Sequence, residues 1–557
     1  MLPSVYSGMR EADNSVLSFP APESPVGTAL LAEAMDRAAP LHEDPAIHSR
    51  RWVLLGVMCL SLVLVVMSVS GLNVSLPTLQ RDLGATATEL QWIVDAYAIV
   101  FAGLLLTAGA LGDRFGRKGA LLVGLVIFAT ASAFGALAND PAQVIAVRAV
   151  MGVGAALIMP ATLSLIVAIF PPEERTRAIA IWAGFAGAGG ALGPVVVGAL
   201  LERYWWGSAF LVNVVVVAIV LTAVSLLSPR SRDDTATPLD PIGALLSIVG
   251  LAALLFGIIE GPEEGWTSGR VVGAFVVAAV VLLAFFAWER RNRHPMLPLG
   301  FFRDVRFSVG TGVITFAFFA MFGFFFLFTQ YLQFVRGYSA LNAGVATLPL
   351  AGTLILVSPR SAALGERFGA GRVITAGFSL LLCGFAVLAT VDPGSPYLLL
   401  ALALVLLGAG MGITVAPATG GIMASVPLSR AGVGSAVNDT TRELGGALGI
   451  AVLGSIVSSA YRGSVDVSAL PLPLQAPAGE SMGAAAAVAE RLGGPVGAAL
   501  RSEAAGAFTD AFNVAMGTAA GVAVVAGVAV YLSLGRRPMG TAGAPAGAVV
   551  SAPAPSA

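Results

Sequence analysis

The sequence predicts an all-α protein that crosses a membrane many times. Hydrophobic residues make up 57% of the 557 residues and charged residues only 11%, and the mean hydropathy is +0.86. Soluble proteins average about 25% charged residues. Apolar runs of about 20 residues, each long enough to cross the hydrocarbon core as a helix, recur along nearly the whole chain. The fold class is therefore a polytopic α-helical membrane protein.

Window-length apolar runs predict about fourteen membrane spans. The approximate limits of these spans are 52–72, 90–111, 119–138, 143–166, 177–200, 207–227, 241–260, 271–289, 307–332, 341–363, 371–391, 396–418, 432–460 and 511–534. Acids, Pro and Ser without an apolar run predict a disordered tail at the start, and an Ala/Pro/Gly/Ser segment predicts another at the end.

Arg and Lys are concentrated in alternate connections between these spans, which sets the orientation of the chain. By the positive-inside rule, the connections rich in these residues are cytoplasmic. Both termini are then cytoplasmic. The basic residues on this side are Arg50, Arg51, Arg114, Arg117, Lys118, Arg175, Arg177, Arg230, Arg232, Arg290, Arg291, Arg293, Arg303, Arg306, Arg360, Arg367, Arg372, Arg430, Arg536 and Arg537.

A short polar motif occurs once in each half of the chain, between two apolar runs. Leu-Gly-Asp-Arg-Phe-Gly at 111–116 recurs as Leu-Gly-Glu-Arg-Phe-Gly at 364–369. Internal repeats of this kind are typical of secondary transporters. Gly allows a tight turn and close approach of helices, and Asp113 is suited to accept hydrogen bonds from a helix N-terminus in the opposite half. The alternative is a loop that only sets topology.

The two copies of the motif lie eight spans apart rather than six, which indicates two extra spans between two six-helix halves. The best candidates for the extra pair are 241–260 and 271–289. The predicted organisation is a disordered cytoplasmic tail 1–49, an N-terminal half 50–227, a two-helix insert 228–295, a C-terminal half 296–535 with an external loop 462–509, and a disordered cytoplasmic tail 536–557.

Composition argues against several other classes of membrane protein. The three histidines, His42, His48 and His294, fall in tails or loops, and Cys59 and Cys383 lie inside apolar runs. An integral-membrane enzyme therefore lacks a nucleophile–base or metal cluster, and we expect no metal and no cofactor. A nucleotide-driven pump lacks its phosphate-binding loop. A channel lacks repeated pore helices or charge rings. The near-neutral net charge of -1 gives no sign of nucleic-acid binding.

Asp95 is a candidate for proton coupling because it lies inside a predicted span. It is about five residues from the outer end, or roughly 8 Å at 1.5 Å per residue. An ionised Asp within a span costs roughly 2.5–3.5 kcal/mol, so this carboxyl should face a cavity or be protonated. The alternative is a carboxylate near the interface, bonded to water or to Gln91.

The remaining intramembrane charges form two candidate groups. Arg148 is the only basic residue of its span, and Asp95 is a candidate partner for it. The alternative is that the guanidinium of Arg148 extends to the external interface. Arg442 and Glu443 follow Asp439 at three and four positions, which puts all three on one helix face. An Asp439–Arg442 pair would leave Glu443 unpaired. For these three residues, structural pairing and a functional role are equally good interpretations.

The motifs together resemble the major facilitator superfamily, and within it the fourteen-helix drug:proton antiporter branch typified by QacA and EmrB. The loop at 109–118 resembles the superfamily's signature loop, and Gln91 to Tyr97 resembles the start of the second helix of that branch. The further matches are Asn73 to Pro77, Arg148 to Gly154, Leu192 to Gly198 and Ala431 to Gly445.

This resemblance implies a proton-coupled exporter of small amphipathic drugs or metabolites, working by alternating access. A dedicated exporter of one antibiotic or secondary metabolite is the alternative. The expected partners are that small substrate, protons and the lipid bilayer of a bacterial plasma membrane, with no nucleic acid and with a monomer as the working unit. The resemblance gives Asp95, Arg148 and the acids at and beside Asp439 a part in coupling or substrate handling, and Tyr97 is a candidate to line the cavity.

Two further sets of residues take roles from the resemblance. One set forms gating loops that clasp the cytoplasmic face in the outward-facing state, and the other forms a helix associated with exchange, for which ordinary small-residue packing is the alternative. The gating set is Gly112, Asp113, Arg114, Gly116, Arg117, Lys118, Gly365, Glu366, Arg367 and Gly369. The exchange set is Gly189, Gly193, Pro194 and Gly198.

One position departs from the pattern of this branch. Many relatives carry an acid in the first span just before the Asn-x-x-Leu-Pro segment, and Ser68 stands at that position here. No carboxylate occurs in the predicted span 52–72. Neutral, zwitterionic or anionic substrates therefore gain weight against the lipophilic cations that such an acid serves.

Overall fold

The computed structural model describes residues 41–229, 240–293, 295, 297, 299–426 and 431–534. Most of both expected tails, and most of the polar stretch at 228–238, lie outside this part of the chain. Residues 41–49 were grouped with the first tail. They instead form a 3₁₀ turn at Leu41–Glu43 and the beginning of the first long helix at Pro45.

Six long helices form the first half. They are α1 (Pro45–Leu83), α2 (Ala87–Phe115), α3 (Arg117–Ala136), α4 (Pro141–Ile169), α5 (Pro172–Leu201) and α6 (Ser208–Leu227). Polar side chains cap the N-terminal ends of several of them. Thr86 and Glu89 form a capping box at the start of α2, and the side chain of Asp140 accepts a hydrogen bond from the backbone of Ala142 at the start of α4.

The helices of the expected insert and of the expected second half follow after residue 240. Those of the expected insert are α7 (Pro241–Glu264) and α8 (Gly269–Arg291). The second half contains α9 (Val305–Gln330), which continues as a π-helical turn at Tyr331–Val335, then α10 (Ala340–Ala346), α11 (Leu348–Phe368), α12 (Ala370–Leu388), α13 (Tyr397–Ala424), α14 (Ala431–Ser464), α15 (Leu472–Glu480), α16 (Met482–Leu492) and α17 (Gly494–Leu534).

The prediction of an all-α membrane protein is confirmed. Across the described ranges the regular structure is helical, and 13 helical segments are long and apolar enough to span a bilayer. The 30-residue helix α5 is not among them, but it contains a shorter apolar stretch at Ala188–Leu201. The structure is therefore consistent with about fourteen spans.

The helices of the two halves pair in the same way. In the first half, α1 packs along α5, α2 along α4, and α3 along α6. In the second half, α9 packs along α14, α11 along α13, and α12 along α17. Because the repeated sequence motif forms the C-terminal end of α2 in one half and of α11 in the other, the motif occupies equivalent positions in this duplicated arrangement.

The insert lies at one seam between the halves. Its two helices pack against each other, and α7 also contacts α2 and α14. Leu255 and Ile259 of α7 form a small apolar cluster with Ala98 of α2 and with Ala447 and Ala451 of α14. One helix of the insert thus covers the line along which α2 of the first half meets α14 of the second.

The expected external loop is a helical cap. Residues 462–509 contain α15, α16 and the first part of α17, and we call α15 and α16 together the external cap. The Tyr461 hydroxyl donates to the carbonyl of Ala478 at 3.2 Å, and the Gln80 amide donates to Ser481 Oγ at 2.8 Å. The cap is therefore tied to α14 in one half and to α1 in the other.

Candidate substrate and proton-coupling site

Asp95 is enclosed within α2 and has no polar partner. The residue is 0% exposed, and neither carboxyl oxygen has a hydrogen-bond partner. Trp92 and Ile99, one helical turn before and after it, pack in the cluster shared with α7 and α14. An ionised carboxylate without a partner in such surroundings costs several kcal/mol, whereas the protonated acid costs far less. The enclosure therefore favours a neutral carboxyl.

Arg148 of α4 is equally enclosed but lies against Tyr97, not Asp95. It is 1% exposed, its Nε donates to the carbonyl of Ile93 at 3.1 Å, and its guanidinium lies 4.2 Å from the centre of the Tyr97 ring. The expected Arg148–Asp95 pair is absent, because residues two positions apart on α2 point to different faces. The low exposure also contradicts an Arg148 head group that extends to the surface.

Arg148 also lines a small cavity inside the first half. Ser68 of α1 and Asn213 of α6 line the same cavity, and both Arg148 Nη2 and Asn213 Oδ1 lack hydrogen-bond partners. Ser68 is the position where the resemblance places an acid in many relatives. The serine that replaces this acid therefore lies next to the buried guanidinium of Arg148, whose Nη2 donor has no partner.

The three charged residues of α14 form a compact cluster. Arg442 Nη1 lies 3.7 Å from Asp439 Oδ1, and Arg442 Nε donates to Glu443 Oε1 at 3.2 Å. The expectation that Glu443 would be left unpaired is wrong, because the guanidinium contacts both acids. The same guanidinium lies 5.7 Å from the ring centre of Phe318 on α9. The cluster therefore holds two acids and one cation, with a net negative charge when all are ionised.

Tyr97 lies between the charged groups of the two halves. Its ring faces Arg148, and its hydroxyl has no hydrogen-bond partner. The α14 cluster reaches α4 through Arg442 Nη2, which lies 3.9 Å from Met159 Sδ, and α2, the helix of Tyr97, packs along both α4 and α14. These residues form the centre of the candidate site.

The repeated motif forms the same turn in both halves. Gly116 and Gly369 adopt positive φ angles of 116° and 87°, and each donates its N–H to the carbonyl of the Gly four positions before it, at 3.0 and 2.9 Å. Such φ values favour glycine. Arg114 and Arg367 each lie over the following Phe ring. Glycine geometry therefore explains the spacing of the motif.

The charged residues of the motif lie at the protein surface or contact neighbouring helices. Arg114, Glu366 and Arg367 are exposed. Lys118 Nζ donates to the carbonyls of Ser225 and Ser228 at 2.9 and 2.7 Å, so it caps the C-terminal end of α6. Arg117 also has a polar or electrostatic partner. The side chain of Asp113 lies outside the described part of the chain.

The glycines of α5 allow two close helix contacts. A Cβ at Gly193 would overlap Ser70 Oγ and lie 2.8 Å from the carbonyl oxygen of Met67 on α1. A Cβ at Gly198 would lie 2.7 Å from the carbonyl oxygen of Ala340 on α10. Gly189 likewise faces α1, at Val63, and Pro194 contacts Gly344 of α10. The first contact lies within one half, whereas the Gly198 contact joins the two halves.

The external side of the molecule is closed. Side-chain hydrogen bonds join the halves there, close to the external ends of the helices. They run from Thr329 Oγ1 to the carbonyl of Asn73 at 2.9 Å, from Gln333 Nε2 to the carbonyl of Val74 at 2.8 Å, and from Ser339 Oγ to Glu202 Oε1 at 2.6 Å. At the opposite end, Phe115 is 69% exposed. The two halves are therefore closed against each other at this end, which is the external end in the orientation that the positive-inside rule predicts.

Sequence reasoning missed two acids of the insert that contact α2. Trp92 Nε1 donates to Glu260 Oε1 at 3.0 Å, and Thr88 Oγ1 donates to Glu263 Oε2 at 2.8 Å. Glu263 also lies 3.8 Å from Arg462 of α14. The available signal was the presence of acids at the end of an otherwise apolar helix. Their partners depend on tertiary packing, which the sequence does not show.

A comparison of the sequence with known families decides the family of the chain. Residues 58–450 match the sequence profile of the Major Facilitator Superfamily. The chain belongs to the Major Facilitator Superfamily. This superfamily consists of transporters, which agrees with the helical pairing and with the repeated turns described above.

Similar members of the Major Facilitator Superfamily are exporters or resistance proteins by name. The multidrug efflux pump LfrA of Mycolicibacterium smegmatis is 36% identical over 462 residues, which is 83% of this chain and 92% of LfrA. The tetracenomycin C resistance and export protein of Streptomyces glaucescens is 32% identical over 430 residues, or 77% and 80%. The methyl viologen resistance protein SmvA of Salmonella typhimurium is 32% identical over 493 residues, or 87% and 99%.

Solved structures agree on the major facilitator fold. A bacterial homologue of the human lysosomal transporter Spinster, solved inward-facing and unoccupied, matches with a TM-score of 0.61 and 18% identity, over 88% of this chain and 97% of that chain. An auto-inhibited peptide transporter of the POT family matches with a TM-score of 0.59 and 16% identity, over 88% and 99%. At this identity the likeness establishes the fold.

Proposed function

We propose that this chain is a proton-coupled exporter of small amphipathic compounds that works by alternating access. The observation that carries the proposal is the enclosed Asp95 carboxyl, which lacks any polar partner. Asp95 lies on α2, the helix of the first half that packs along α14 of the second half. A buried ionisable group in a span marks a functional site. The efflux and resistance functions in the names of LfrA and SmvA support export as the direction of transport.

Asp95 serves as the proton-carrying group in this proposal. In the outward-closed conformation its carboxyl holds a proton, because its surroundings offer an anion no partner. When water reaches the group from the cytoplasm, the carboxylate becomes stable and the proton leaves. Release of the proton from Asp95 affects Arg148 and Tyr97, because all three residues lie on the packed helices α2 and α4.

The α14 cluster provides the second part of the proposed site. Asp439, Arg442 and Glu443 lie across the seam from Tyr97, so a substrate placed between the halves contacts charges of both signs. The guanidinium of Arg442 contacts both acids. A substrate amine or anion therefore changes how strongly Arg442 interacts with each of them. Asp439 and Glu443 bind a substrate cation, and Arg442 orients them.

The gating and exchange residues keep their roles as proposals. Asp113 and its loop, with the equivalent Glu366 loop, clasp the cytoplasmic face in the outward-facing state. The tight contact of Gly198 with α10 keeps the external face closed in the present conformation. We propose a monomer of the fourteen-helix drug:proton antiporter branch in a bacterial plasma membrane, with both termini cytoplasmic.

An exporter dedicated to one antibiotic or secondary metabolite is the second candidate. Two similar proteins have names of this kind: the tetracenomycin C resistance and export protein, and the methylenomycin A resistance protein of Streptomyces coelicolor, which is 36% identical over 401 residues, or 71% of this chain and 84% of that protein. Ser68 beside Arg148 favours a substrate that is not a simple lipophilic cation.

The test is transport in inverted membrane vesicles that contain the full chain, with an imposed proton gradient. A panel of cationic, zwitterionic and neutral fluorescent amphipathic compounds is followed for gradient-dependent uptake. We expect Asp95→Asn to abolish that uptake. Asp82→Asn, at an exposed carboxylate near the external end of α1, serves as the matched control and should transport normally.

Two outcomes contradict the proposal. Coupled transport that is unchanged in Asp95→Asn excludes this carboxyl as the required proton site. An absence of gradient-dependent movement for every compound of the panel in the wild-type protein argues against a proton-coupled exporter. Uptake confined to one chemical class favours the dedicated exporter over a broad pump.

A further inference from the structure

A second cavity lies under the external cap, away from the central site. We call it the external cavity, and it is enclosed by α2, α9, α14, the cap and α17. Its walls are formed by Ala87, Gln91, Phe326, Leu327, Gln330, Gly454, Val457, Ser458, Tyr461, Glu480, Ser481, Met482, Gly483 and Phe508. The enclosed space is small, enough for a head group rather than for a drug-sized body.

Three polar side chains of the external cavity have atoms with no partner. Gln91 Oε1, Ser458 Oγ and Glu480 Oε1 are buried and make no hydrogen bond. Gln91 is 1% exposed and Ser458 is 6% exposed, so neither side chain reaches bulk water. Buried polar groups are normally satisfied. Three unsatisfied oxygens around one cavity therefore indicate a place that a hydrogen-bond donor occupies.

Glu480 stands between the external cavity and the outside. A wider pocket, open at the surface, lies on the other side of this residue and is lined by Glu263, Arg462, Ala476, Pro477, Gly479 and Glu480. The same carboxylate therefore borders both an inner and an outer space. A ligand that passes between them meets Glu480 on the way.

The charges around Glu480 set the electrostatics of this passage. Burial raises the pKa of the Glu480 carboxyl above its usual range, the negative charges of Glu263 on α7 and Glu89 on α2 raise it further, and Arg462 on α14 opposes the shift. Arg462 lies 3.8 Å from the carboxylate of Glu263, and its Nε has no hydrogen-bond partner. A cation placed in the external cavity therefore stabilises the ionised carboxylate of Glu480.

We propose that the external cavity is an exit subsite that binds the protonated amine head of an amphipathic ligand. The ammonium donates to Glu480 Oε1, Gln91 Oε1 and Ser458 Oγ, since a primary ammonium has three donors. The apolar chain lies along Phe326, Leu327 and Phe508. This inference rests on the proposed export function and adds the chemical class of a ligand that leaves through the external side.

The centre of the first half lacks a carboxylate at the position where many relatives carry one. The first span supplies no carboxylate, and Ser68 lies beside Arg148 at the position where relatives carry an acid. Glu480 offers an amine a carboxylate at the exit that α1 does not offer at the centre. A hydrogen-bonded site of this kind prefers a primary ammonium to a quaternary one, because the quaternary head has no donor.

The test uses the purified full chain in lipid nanodiscs and a photoreactive probe, an octylammonium with a diazirine close to its amine. Labelled peptides are identified by mass spectrometry, and unlabelled octylammonium serves as competitor. We expect competable labelling within residues 457–483 of the wild-type protein. The octanol analogue and the octyltrimethylammonium analogue should label this segment at least about tenfold less, as expected for lost charge-assisted hydrogen bonds.

Variants distinguish the loss of binding at each of the three polar groups from a general loss of folding. Glu480→Gln should lower competable labelling at least about tenfold, and Gln91→Met and Ser458→Ala should each lower it several-fold. Glu490→Gln, at an exposed acid of the same cap, should label like the wild type. A thermal unfolding midpoint measured for each variant identifies any that fail to fold, and Glu480→Gln is expected to fold normally because it removes a buried charge.

The outcomes distinguish this inference from the proposed function. Labelling that is equal in Glu480→Gln, or equal for the alcohol probe, overturns the exit subsite and leaves proton-coupled export untouched. Asp95→Asn should label the cap normally while it fails to transport, because the two sites are separate. Labelling that disappears in Asp95→Asn together with transport contradicts a separate external site.

Discussion

The guanidinium of Arg148 lies 4.2 Å from the ring centre of Tyr97, with both side chains enclosed between α2 and α4. A desolvated cation over an aromatic face gains about 2 kcal/mol or more. This contact takes the place that an ion pair with Asp95 was expected to fill. It leaves the carboxyl of Asp95 on a separate face of α2, toward the insert.

Removing the ring of Tyr97 should destabilise the protein. In Tyr97→Leu, Arg148 loses the aromatic face, and we expect a loss of about 2 kcal/mol. Tyr97→Phe keeps the face and should unfold close to the wild-type temperature. The measurement is the thermal midpoint in detergent, with Tyr204→Leu at an exposed tyrosine as the control. Equal midpoints for the Leu and Phe variants at position 97 would contradict the role of the ring.

Neutralising Arg442 should be costly because two acids depend on it. Arg442→Gln leaves the buried Glu443 and the partly buried Asp439 without a cation, and we expect a loss of about 2 kcal/mol, less than for a fully buried ion pair. The double variant Arg442→Gln/Glu443→Gln should recover part of that loss, because it removes one uncompensated charge. Thermal midpoints test both, and Arg491→Gln in the exposed part of the cap is the control. No recovery in the double variant would show that the charges do not interact as described.

A side chain at Gly198 should open the external face. In Gly198→Ala the new methyl group lies against the backbone of Ala340, across the contact that joins the halves. A membrane-impermeant maleimide should then label Ser458→Cys, in a Cys383→Ser background, several-fold faster than without the Gly198 change. Gly190→Ala, whose added Cβ would first meet an atom at 4.0 Å, should not change the rate. Unchanged labelling in Gly198→Ala would argue against this contact as part of the closure.

The stability of the protein should depend on pH through Glu480. Because the folded-state pKa of this carboxyl is raised, chiefly by burial, the ionised form costs stability above that pKa. The cost begins to fall as pH drops below the raised value, and it is gone below the ordinary pKa of Glu in the unfolded chain. Glu480→Gln should therefore be more stable than the wild type at about pH 7.5, and the difference should vanish near about pH 4, around the ordinary value for Glu. A difference that grows as pH falls would reverse the assigned sign.

The sequence predicted well those features that depend on local pattern. Run length predicted the spans, and the spacing of Asp439, Arg442 and Glu443 predicted that they share a face. The spacing Gly112 to Gly116 predicted a tight turn, and the positive φ of Gly116 confirms it. These features follow from helix geometry and glycine conformation, which act within a few residues of each other.

The sequence predicted less well those contacts that join distant segments. The partner of Arg148 was expected to be Asp95 and is the Tyr97 ring, because the choice depends on how α4 is rotated against α2. The cavity of Gln91, Ser458 and Glu480 brings together three segments that no spacing rule connects.

The position of α7 makes the two sides of the molecule unequal toward the surrounding lipid. On one side, α7 covers the line where α2 meets α14; on the other, α5 meets α10 and α11, and the insert makes no comparable contact there among the described residues. The first seam is therefore separated from the surroundings by an additional helix. The insert leaves the flank formed by α5, α10 and α11 uncovered.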